Sequence, residues 1–121
     1  MNNDLNTVLE GMHNDKVAVL RDQLAAIDAQ EQERLRIGNE IETGIRADIG
    51  EVRSEELRVT PDEGYPDAER LARTGFLTKR LDLIDRLRAE NRACWNDYQK
   101  LEEERREIQR ELTTLERRDA T

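Results

Sequence analysis

Glycine, proline, cysteine and aromatic residues are all scarce in this sequence: six Gly, two Pro, one Cys, one Trp, one Phe and two Tyr. A single cysteine excludes an internal disulfide and fits a reducing compartment. One Cys and one His fall short of the roughly four ligands of a structural zinc site, so no metal is expected. A nucleophilic Cys94 would need a base beside it, and the only histidine, His13, lies far along the chain. No phosphate-binding loop, dinucleotide-binding glycine pattern, nucleophile elbow or EF-hand spacing is present. These absences predict a protein that is not an enzyme and takes no cofactor and no small-molecule substrate.

Long apolar runs are missing too. The longest, "VAVL" and "LAAI", are four residues each, far short of a membrane span. The start, "MNNDLNTVLEGMHND", has neither the positive charge nor the apolar stretch of a secretion signal. A cytoplasmic location is expected, or one inside a particle assembled there, with no membrane partner.

What the chain has is charge. Charged residues make up 40% and apolar residues 36% of the 121, and the net charge is −8. That composition suits long helices that each bury one narrow stripe, not a thick core. The imbalance is concentrated in residues 48–69, which hold eight acids and two bases. The arginines elsewhere alternate with Glu and Asp and leave no basic stripe, so nucleic acid is not an expected partner.

Residues 84–116, "IDRLRAENRACWNDYQKLEEERREIQRELTTLE", contain no Gly and no Pro. Steps of three and four from Ile84 reach Leu87, Asn91, Cys94, Tyr98, Leu101, Arg105, Ile108, Leu112 and Leu115. All but Asn91 and Arg105 are apolar or aromatic, the pattern of a coiled-coil seam. Leu77 extends it upstream and Leu81 widens it. Asp67 is the expected N-cap, which places the second arm at 68–118. Asn91 and Arg105 are expected to fix register or partner number, or, for Arg105, to run its stem along the seam and its head into water. The pairs Asp82–Arg86 and Glu102–Arg106 are expected to support the exposed faces.

The first half repeats the pattern less cleanly. Val17, Leu20, Leu24 and Ile27 start a stripe, and Leu35, Ile41, Ile45, Ile49 and Val52 continue it after a phase drift near residues 31–34. Gly11 and "HND" at 13–15 predict a break, giving a short leading helix at 4–12, capped by Thr7 with Glu10, and a first arm at 16–53. Between the arms, Gly50, Pro61, Gly64 and Pro66 oppose continuous helix. Residues 54–67 are expected to form an acidic bend, with Thr60 capping a single turn. No period-two run predicts a strand.

The predicted fold is all-α: a long antiparallel two-helix coiled-coil hairpin with a short N-terminal helix, in one elongated domain. An acidic first arm beside a weakly basic second arm favours folding back over a parallel dimer broken at the bend. So thin a structure is expected to self-associate or to pack on a protein partner.

Candidate contact residues follow from that fold. Trp95 lies one step off the seam, half exposed, and Trp is frequent among binding hot spots. Ile37 and Leu83 are apolar and off the seam. Asp62, Glu63, Tyr65, Asp67 and Glu69 crowd the bend, where a solvated turn and a recognition tip are both open readings. Residues 67–87, "DAERLARTGFLTKRLDLIDRL", loosely resemble the helix that follows the tip in Gre-type transcript-cleavage factors. Those proteins insert an acidic hairpin tip into RNA polymerase. Pro66, however, stands where that family has an acidic tip residue, and both arms here are longer. The function expected is a non-enzymatic adaptor, assembly or structural subunit working through protein–protein contacts. The alternatives are a regulator that inserts its acidic tip into a large enzyme, as the resemblance implies, and a stalk or escort protein of a secretion or motor machine.

Overall fold

The computed structural model describes residues 2–59 and 66–119. They form two helices, α1 (Asn2–Arg58) and α2 (Pro66–Asp119), packed against each other as an all-α antiparallel hairpin, with no strand among the described residues. Both are rich in Ala, Leu, Glu, Gln and Arg, residues that lose little freedom in a helix. The Val59 N–H donates to the Glu56 carbonyl at 3.2 Å, closing the last turn of α1. Arg58 in that turn complements the negative end of the helix. Pro66 opens α2 at the position where a missing N–H costs nothing, and Asp67 and Glu69 occupy its positive first turn.

Two expectations about boundaries change. α1 runs unbroken through Gly11 and residues 13–15, so there is no separate helix at 4–12. Thr7 sits inside the helix and does not cap it. A glycine in a helix costs about 1 kcal/mol against alanine, too little to stop a helix of this length. Asp67 lies within α2, one residue past its start, and does not precede it as a cap. The expected turn at Thr60 and the acidic residues Asp62 and Glu63 lie outside the described residues, as does Tyr65.

The packing divides into two compact units, Met1–Arg34 with Asn96–Thr121, and Leu35–Trp95. In the first, α1 turns Val17, Leu20, Leu24, Ile27, Glu31 and Arg34 inward, and α2 answers with Tyr98, Leu101, Arg105, Ile108, Leu112 and Leu115. Leu20, Ile27 and Leu115 are the buried apolar side chains, and Glu31 is buried beside them at 7% exposure. The phase does not drift at residues 31–34; polar side chains hold seam positions there. Arg105 does not reach for water. It donates to Glu31 Oε2 at 2.6 Å and pairs with Asp28 and Glu102. Glu102 is thus taken by Arg105, not by Arg106. The hydrogen bond to Glu31 is the largest cause raising the Arg105 pKa above its ordinary value. Arg34 Nε donates to Asp97 Oδ2 at 2.9 Å.

In the second unit the inward positions are Gly38, Glu42, Ile45, Ile49, Val52 and Glu56 on α1, all half-buried. On α2 they are Glu69, Ala72, Phe76, Arg80, Leu83, Ile84, Leu87, Glu90 and Cys94. Arg80 pairs with Glu56 at 3.4 Å. Several expected seam residues lie outside it: Leu35, Ile41, Leu77 and Leu81 are 47%, 39%, 47% and 52% exposed, and Asn91 is exposed. Leu35 is out because Arg34 holds the seam position beside it; for the others the cause is four-four steps, at 34–38–42 on α1 and at 72–76–80 and 90–94–98 on α2, which interrupt the strict heptad. A helix of 3.6 residues per turn drifts against a 3.5 repeat, and such a step absorbs the drift.

Candidate interaction surface

Among the apolar side chains left uncovered, Leu57 and Leu71 near the elbow are the most exposed, at 86% and 73%, and two further sets stand at helical spacing. The first is on the leading turns of α1. Leu5, Val8, Leu9 and Met12 stand at helical spacing and are 54–64% exposed. Leu9 lies eighteen residues, about five turns, before Ile27, so the stripe continues the face that is buried further along. The ion pair of Arg21 with Glu116, at 3.7 Å, sets the register. Asp119, the last described residue of α2, is one turn beyond Glu116, and residues 2–12 of α1 extend past it. The sequence carried this stripe plainly; the supposed break at Gly11 concealed it.

The second group lies on α2, beside its inward face. Leu77, Leu81 and Trp95 are 47%, 52% and 63% exposed. Leu77 and Trp95 are eighteen residues apart and share one side of the helix, with Leu81 and Arg88 at heptad steps between them. Arg88 and Arg92 are exposed and make no ion pair among the described residues. Cys94, next to Trp95, is a half-buried free thiol on the inward face.

The other candidates are dispersed. Ile37 is 37% exposed on α1. Leu83 is half-buried and lines an open groove of 210 Å³ with Val52, Lys79, Asp82 and Arg86. At the bend, Asp67 is exposed, while Glu69 is half-buried and paired with Arg73 at 2.6 Å. Glu69 is therefore committed within its own helix. No group of three or more His, Cys, Asp or Glu side chains that could hold a metal occurs among the described residues. No described helix is long and apolar enough to cross a membrane.

No curated protein and no solved structure matches the chain. Its whole length, residues 1–121, matches one family, described as "Family of unknown function (DUF8104)", and the chain belongs to that family.

Proposed function

We propose that the protein is a non-enzymatic structural or assembly subunit of the cytoplasm that acts by contact with other protein. The observation that carries this reading is the mismatch between buried and exposed apolar surface. Leu20, Ile27 and Leu115 are the only buried apolar side chains among the described residues, while Leu5, Met12, Leu81 and Trp95 are each more than half exposed. Apolar surface gains about 25 cal/mol per Å² when removed from water, and Trp in such a setting is a frequent anchor. A hairpin with so little covered is completed by association.

Photo-crosslinking in the native host tests it. A photoreactive residue in place of Trp95 or Leu81 should give protein adducts, and the same residue in place of the exposed Glu104 should give few. Equal yields at all three positions would contradict a contact role for the apolar flank.

A further inference from the structure

Resting on that reading, we infer that the leading turns of α1 in one copy dock on the Leu77–Trp95 flank of α2 in a second copy. Both surfaces are bare among the described residues: Leu5, Val8, Leu9 and Met12 on the leading stripe, and Leu77, Leu81 and Trp95 on the flank beside the seam. Their charges are opposite. Residues 1–15 contain Asp4, Glu10 and Asp15 and no Lys or Arg. The flank places the exposed Arg88 and Arg92, with one acid, Asp85, beside them, between Leu81 and Trp95. None of Asp4, Glu10, Asp15, Arg88 and Arg92 makes an ion pair among the described residues. An acidic amphipathic helix set on a basic apolar flank covers apolar side chains and pairs charges in one step.

The lengths also agree. Residues 2–15 span about 20 Å and the flank from Leu77 to Trp95 about 27 Å at 1.5 Å per residue, so the stripe fits within the flank. Lysines and arginines are absent from the leading stripe, so two leading stripes would repel each other. Acids against arginines favour the stripe-to-flank pairing over stripe-to-stripe. In a two-fold dimer the contact is made twice, which brings a small patch nearer the area a stable interface needs.

Sedimentation of the full chain, from low to high micromolar concentration, tests the pairing by charge exchange. Wild type should associate. Asp4→Arg/Glu10→Arg and Arg88→Glu/Arg92→Glu should each weaken association about tenfold or more, and the four substitutions together should restore it. All four of these side-chain changes are at exposed helical positions, and circular dichroism checks that helicity is kept. Association unchanged by either reversal, or not restored by the combination, overturns this docking but leaves a contact function standing. A wild-type chain that stays monomeric overturns it too, including where acidic vesicles or another protein bind the flank instead. Adducts at Trp95 to a different protein would then preserve the functional reading.

Discussion

Arg105 shows how much a single side chain can carry in a thin core. It stands where the seam would take a leucine, and it offsets that cost by pairing with Glu31, Asp28 and Glu102. Glu31 depends on it: Arg105 donates to Oε2, and the Oε1 atom of that buried carboxylate has no hydrogen-bond partner. Removing one member of a buried pair costs more than replacing both. Arg105→Leu should therefore lower stability by about 2–3 kcal/mol, less than a fully dry pair because 19% of the Arg105 side chain is exposed. Glu31→Leu/Arg105→Leu should recover most or all of that loss, as read by urea unfolding. A double variant no better than the single would show that the ion pair itself, and not the orphaned carboxylate, holds the site. The sign of any pH effect follows from the raised Arg105 pKa. A raised folded-state pKa adds stability that is complete below the unfolded value and lost only as pH climbs through the folded one. Between neutral and moderately alkaline pH the guanidinium should thus contribute no slope to stability.

At the scale of the helices, length was bought at some cost in propensity. Gly11, Gly44, Gly50 and Gly75 all sit inside helices, none has positive φ, and a Cβ at each would meet nothing within 4 Å. Alanine at each should stabilise by about 0.5–1 kcal/mol, seen as a higher melting temperature; a lower one would point to a contact with a partner at that position. Asp67 and Glu69 favour the start of α2 through the helix dipole, and Glu69 also pairs with Arg73. Asp67→Asn/Glu69→Gln should cost roughly 0.3–1 kcal/mol per charge. A regulator working through its acidic tip would instead lose activity with no change in melting.

The two helices, their antiparallel pairing and the elbow were legible in the sequence, because Leu and Ile recur at helical spacing and Gly and Pro gather once. The exact seam was not. A search for apolar residues passes over Glu31, Arg34, Glu56 and Arg80, which hold inward positions through partners on the other arm such as Arg105, Asp97 and each other, and over Glu42, which pairs with Arg46 on its own helix. With those steps unseen, Leu77, Leu81 and Leu35 looked like core. The leading stripe is hidden for the opposite reason: Gly11 and His13 suggest a helix break that a cost of about 1 kcal/mol does not enforce.

For the whole molecule, the account turns on incompleteness. A hairpin with three buried apolar side chains among its described residues, and with Trp95 and the leading stripe bare, should owe part of its stability to a second copy. Mass action makes such a debt visible, because a state stabilised by association melts higher when more concentrated. The direct measurement is the melting temperature of the purified chain, followed by helical circular dichroism across a hundredfold range of concentration. The account predicts a steady rise with concentration, lost in Asp4→Arg/Glu10→Arg; a melting temperature that does not move across that range would contradict it.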